Sequence, residues 1–122
     1  MVDVFDTDGV MIDRVMEGGP LNAPWGMVMS PSGFGQFENA LLVGNFGDGR
    51  IIAIDPDDHE VLGHLETGPG EPIELEGLWG LAFGNGRDAG EPDDLYFTAG
   101  IDDETHGLFG EIAVAGEEEE EL

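Results

Sequence analysis

Apolar residues in this chain come in short runs, and Gly, Pro, Asn or Asp closes nearly every one. Leu41-Leu42-Val43, Ile51-Ile52-Ala53-Ile54 and Leu95-Tyr96-Phe97 are typical, with β-branched and aromatic members. No window keeps a helical period for three turns, and glycines recur too often for long helices. The pattern predicts strands: Val2–Phe5, Val10–Val15, Gly26–Met29, Ala40–Asn45, Arg50–Asp55, Val61–Glu66, Leu78–Phe83, Asp94–Thr98 and Gly107–Val114, with a loop over 67–77. Between the first two, Asp6-Thr7-Asp8-Gly9 supplies the positive φ of a tight hairpin.

Parts of this pattern repeat. Pro24-Trp25-Gly26-Met27-Val28-Met29 matches Leu78-Trp79-Gly80-Leu81-Ala82-Phe83 in character, with the tryptophans 54 residues apart. A Gly-rich loop follows each, then Ala40–Asn45 or Asp94–Ala99, an acidic turn, and another apolar strand, Arg50–Asp55 or Leu108–Val114. The first copy adds Val61–Glu66; the second reaches the glutamate tail without a fourth strand. Val2–Val15 reads like the last two strands of a copy. A four-stranded antiparallel meander at this spacing is the sequence form of a β-propeller blade.

The expected fold is therefore all-β: antiparallel four-stranded blades of a partial propeller, about two blades plus an N-terminal hairpin. Residues 1–116 form it, with the hairpin in 1–19, a first full blade in 20–67 and a second, incomplete blade in 76–115. Trp25, Gly26, Trp79 and Gly80 mark the repeat, and the indoles are expected to pack between blades. Residues 117–122 are read as a disordered acidic tail, because five consecutive glutamates repel and have nothing to bury. Closing a ring takes about four to eight blades, so self-association, or missing blades on a neighbouring chain, is the expected partnership.

In these stretches the chain resembles the uncharacterised NHL-type β-propeller proteins, some bacterial members of which carry a PEP-CTERM sorting signal. The resemblance rests on Leu21–Gly26, Ala40–Ile51, Gly77–Gly86, Leu95–Ile101 and Gly107–Gly110. It implies an architecture more than an activity. Members of that family are much longer, so the chain is expected to be an internal or C-terminal portion of one. Its start, Met1–Asp6, has neither the basic residues nor the apolar stretch of a signal peptide. An extracellular or cell-surface place is implied for the full-length family only, and the compartment stays open.

Charge narrows the partners. Asp and Glu total 28 against 3 Lys and Arg, a net charge of −25. Nucleic acid and anionic membranes are polyanions, so such a chain does not bind them electrostatically. Hydrophobic residues still make up 40% of the sequence, which argues against a disordered chain. Salt adaptation accommodates both facts, because at 1 M salt the Debye length is about 3 Å and surface carboxylates hardly repel. The acids are dispersed over 57–60, 71–76, 88–94 and 102–104, which suits a solvated surface better than a patch for a basic partner.

Candidate chemistry is sparse. With no Cys there is no disulfide, thiolate zinc site or Cys nucleophile. Ser30 and Ser32 sit in no Gly-x-Ser-x-Gly elbow, and a phosphate-binding P-loop needs the Lys that is missing. Asn45-Phe46-Gly47-Asp48-Gly49-Arg50 is the sharpest candidate: Asn45 and Asp48 offer oxygens to a polar ligand or a hard cation such as Ca²⁺. The same string is also ordinary hairpin chemistry, with Asp48 capping its own turn. Asp55–Glu60 and Asp102–His106 put carboxylates beside a His, but neighbours in a turn splay apart. The sequence reads best as an NHL-like binding or scaffold protein with no cofactor and no catalysis indicated. The alternative is a Ca²⁺-dependent, hydrolase- or lactonase-like propeller enzyme.

Overall fold

The computed structural model describes residues 1–68, 70–86 and 91–113. Its elements are β1 (Val2–Phe5), β2 (Met11–Met16), β3 (Pro24–Met29), β4 (Leu41–Asn45), β5 (Ile51–Ile54), β6 (Val61–His64), β7 (Glu66–Gly68), β8 (Glu71–Pro72), β9 (Leu78–Phe83), β10 (Leu95–Gly100) and β11 (His106–Ile112). All pairings between them are antiparallel. β1 and β2 form a hairpin, β3-β4-β5-β6 a four-stranded meander, and β9-β10-β11 a three-stranded one. The expected tail at 117–122 lies outside the described residues, as does the end of the last strand at Val114.

Register decides which side chains meet. Leu42 opposes Ala53 and Gly44 opposes Ile51 on one face of the four-stranded sheet. Leu41–Ile54 and Val43–Ile52 occupy the other. The first face joins Leu78, Leu95, Phe97 and Ala99 of the three-stranded sheet in one core. The second joins Val2 and Val15 of the hairpin in another. The chain is thus three stacked β layers, and β5, in the middle layer, is buried at all four positions. A strand covered on both faces reads as a continuous apolar run, as Ile51–Ile54 does.

Glycine permits the closest approach between the sheets. A Cβ on Gly26 would stand 2.5 Å from the Trp79 carbonyl oxygen, so only glycine lets β3 lie this near β9. The far end of the joint is closed by Phe34, edge-on to Phe83 with ring centroids 5.0 Å apart. Among the described residues the sheets do not close into a ring.

One expectation needs correction, and two of the expected turns take a particular form. The loop over 67–77 contains the β7–β8 hairpin, flanked by buried Leu65 and Ile73. Two strands of three and two residues are too short to register as a pattern. The Gly-rich loop after β3 holds a 3₁₀ turn at Gly35–Phe37. Between β10 and β11, Ile101–Glu104 make a tight turn in which Asp102, Asp103 and Glu104 all have positive φ, of 54°, 55° and 67°.

Among the described residues, no layer covers the outer face of the three-stranded sheet. There Tyr96 stacks on Phe109, with centroids 5.7 Å apart and an interplanar angle of 13°. The Tyr96 hydroxyl donates to Glu111 Oε2 at 3.2 Å. Partial desolvation first, then the Glu111 carboxylate, hold the phenol pKa above its ordinary 10.0. The folded state thus favours the neutral phenol. That stabilisation is complete below about pH 10 and is lost as pH rises through the raised value. Because the chain has one tyrosine, an ultraviolet titration should give a single midpoint above 10, moving toward 10 in Glu111→Gln. A native midpoint at or below 10 would contradict this packing.

Candidate binding site at the paired tryptophans

Trp25 sits at the start of β3 and Trp79 at the start of β9. Both strands leave from the same end of the molecule, so the indoles come together although 54 residues separate them. They line a cavity of about 120 Å³ with Phe46 and Glu104. Phe46 comes from the turn after β4 and Glu104 from the turn after β10. Each copy of the duplicated unit therefore supplies one tryptophan and one residue from its second turn.

This corrects the expectation that the indoles are packed away between layers. Trp25 is 72% exposed and Trp79 is half-buried. The reason lies in the hairpin β1–β2, which covers β4 and β5 but leaves the edge strand β3 bare. Met27 and Met29, on the same side of β3, are each 50% exposed.

Each wall has local support. The Trp79 ring lies against Gly100, where any Cβ would collide with it. Its Nε1–H donates to Glu104 Oε1 at 3.1 Å. Glu104 reaches that position through the three successive left-handed residues, a conformation that costs non-glycine residues roughly 1–3 kcal/mol each. The segment leading into Trp25 is strapped down by Asn45. Its Oδ1 accepts from the Asn22 N–H at 3.1 Å, and its Nδ2 donates to the Pro20 carbonyl at 3.0 Å. The next two amides continue the strap: Phe46 N–H donates to the Ala23 carbonyl at 2.9 Å and Gly47 N–H to the Asn22 carbonyl at 3.0 Å.

Asn45 and Asp48 therefore do different things. Asn45 is wholly buried and its carboxamide is bonded at both ends to backbone. Asp48 accepts from the Arg50 N–H at 3.0 Å, capping its own turn. It also borders a cleft of about 360 Å³ shared with Glu74 and Glu76. Those two are engaged, Glu74 with Arg50 at 2.9 Å and Glu76 with the Asp102 N–H at 2.6 Å. Asp55 and Asp58 likewise accept from backbone amides of their own turn. Among the described residues, no three His, Cys, Asp or Glu side chains converge as a metal site requires.

Sequence reasoning singled out both tryptophans and the turns Asn45–Arg50 and Asp102–His106, but missed Phe46 and Glu104 as partners of the indoles. In each copy the missed residue lies in the turn after the second strand. Superposing the two copies at their tryptophans brings those turns into correspondence, and that is the signal that could have found both.

No protein-family model matches the chain, and no solved structure matches it. It is similar to several uncharacterized proteins of Acanthamoeba polyphaga mimivirus. One is 38% identical over 91% of this chain and 28% of its own length. A second is 35% identical over 91% of this chain and 26% of its own. A third is 28% identical over 88% of this chain and 19% of its own. The chain thus spans about a quarter of the first two.

Proposed function

We propose that this chain is a salt-adapted segment of an NHL-like β-propeller serving as a binding platform or scaffold, and that further copies of it cover its open faces. The observation that supports this reading is the sense in which the sheets stack. Counting from the tryptophans, Leu42 corresponds to Tyr96 and Gly44 to Thr98; across the pairing, Ile51 corresponds to Phe109. Leu42 and Ile51 face the next sheet, whereas among the described residues Tyr96 and Phe109 face no other sheet. Leu95 and Phe97, which face back toward the four-stranded sheet, correspond to Leu41 and Val43 on its hairpin side. The two sheets stack head to tail in one sense, and such a series has no natural end. The terminal faces of an open repeat are closed by a capping element or by another unit.

Two bare faces match that requirement. One carries Phe109, 69% exposed, and the other carries Met27 and Met29. The greater length of the mimiviral relatives is consistent with more such units in a longer chain. The alternative enzyme reading draws no support from Asn45, which is enclosed.

Sedimentation equilibrium of the full chain in 2 M NaCl tests the reading. Species heavier than the 13.0 kDa monomer are expected, and Phe109→Asp should return them to monomer. A folded wild-type chain that stays monomeric throughout would overturn self-association. Blades supplied by a neighbouring chain would then be the remaining partner for these faces.

A further inference from the structure

We propose that the cavity formed by Trp25, Phe46, Trp79 and Glu104 binds a quaternary ammonium group. All four side chains come from one chain, so the inference goes beyond the platform reading and does not need assembly.

Three observations converge. The first is composition: three aromatic side chains and one carboxylate border one space. An aromatic face carries negative quadrupole charge and attracts a cation placed over it, Trp most strongly. The second is size. A space of about 120 Å³ admits a small rounded head group. The third is the placing of the carboxylate. Glu104 is held at the rim by the Trp79 indole and by a turn of three left-handed residues. Backbone strain of this kind concentrates at functional sites.

A methylated ammonium suits such a site better than an inorganic ion. It sheds water easily, presents a greasy surface to the rings, and keeps its charge for the carboxylate. Sodium and potassium ions are strongly hydrated and gain little from indole faces. The overall charge of −25 adds a field that draws cations of every kind, so the aromatic walls must provide the selectivity.

The chain has two tryptophans and both line the cavity, so indole fluorescence reports on this site alone. The full chain is titrated at constant ionic strength with choline, with its neutral carbon isostere 3,3-dimethyl-1-butanol, and with potassium chloride. A saturable change with choline is expected, with at least tenfold weaker binding of the alcohol and no saturation with potassium. Trp25→Ala, at a side chain exposed enough to leave the fold intact, should weaken choline binding about tenfold. Trp79 remains as the reporter. Glu104→Gln should weaken choline and leave the alcohol unchanged. Equal binding of the alcohol would reduce the site to an apolar dent, and a linear response shared with potassium would reduce it to charge condensation. Either overturns the proposal. The same group occurs on free solutes and on phosphatidylcholine. Choline-sensitive co-sedimentation with phosphatidylcholine vesicles would assign the lipid, and choline binding without it the free solute.

Discussion

Replacing Leu78 with alanine should lower the unfolding free energy by about 2–5 kcal/mol. Leu78 is fully buried at the start of β9. It reaches across to the four-stranded sheet, where a Cβ built on Gly44 would meet its Cδ2 at 2.9 Å. The side chain is the plug of the joint, and the backbones around it are already in contact where Gly26 meets Trp79. They cannot close on a void, so the cavity term adds to the lost transfer energy. Domains of this size are stable by about 5–15 kcal/mol, so the loss is a large share of the whole. Urea unfolding in 2 M NaCl measures it, with Leu108→Ala, 44% exposed, as a comparison expected within about 0.5 kcal/mol. Equal effects of the two substitutions would mean that the sheets do not pack through Leu78.

Lowering the salt should weaken the fold by a comparable amount. The described ion pairs of arginine are Arg14 with Asp3 and Glu17, and Arg50 with Glu74. Three arginines can pair with only a few of the 28 acids. At 0.1 M the Debye length is about 10 Å, so neighbouring loops such as those bearing Asp48 and Glu76 repel one another. Two charges 4 Å apart cost about 1 kcal/mol in water. A few such pairs suffice for a total of several kcal/mol. One kcal/mol moves the midpoint of a 60–100-residue domain by about 4–8 °C, so going from 2 M to 0.1 M NaCl should lower it by more than 10 °C. Circular dichroism melts provide the check. Melts in sodium chloride and sodium sulfate should coincide at equal ionic strength if screening is the cause. Separation by salt identity would indicate exclusion of the salt from apolar surface. A midpoint unchanged between 0.1 and 2 M would remove salt adaptation from the account.

The strands were legible because their signals are local. Ile51–Ile54 and Leu78–Phe83 announce themselves by apolar runs between turn residues, and the duplicated Trp-Gly start aligns the two meanders. The β7–β8 hairpin was invisible, because its residues Glu66–Gly68 and Glu71–Pro72 carry no period and are held by Leu65 and Ile73 on either side. The left-handed run at Asp102–Glu104 was equally hidden, since nothing in Asp-Asp-Glu asks for positive φ. Of the site, the two tryptophans were visible as markers. Their company was not, because Phe46 and Glu104 join them only through the side-by-side lie of β3 and β9.

The order of the residues was enough to set strands, pairing and alternation, since a period of two and a Gly- or Asp-rich turn act over a few residues at a time. Which of the alternating faces stays dry is a different kind of fact. Leu42 and Tyr96 hold matching positions, yet one is wholly buried and the other half-exposed, because one sheet lies between two others and the second, among the described residues, has a neighbour on one side only. Trp25 is open to solvent for the same reason. Burial belongs to whatever packs alongside, and that is settled only when distant parts of the chain meet.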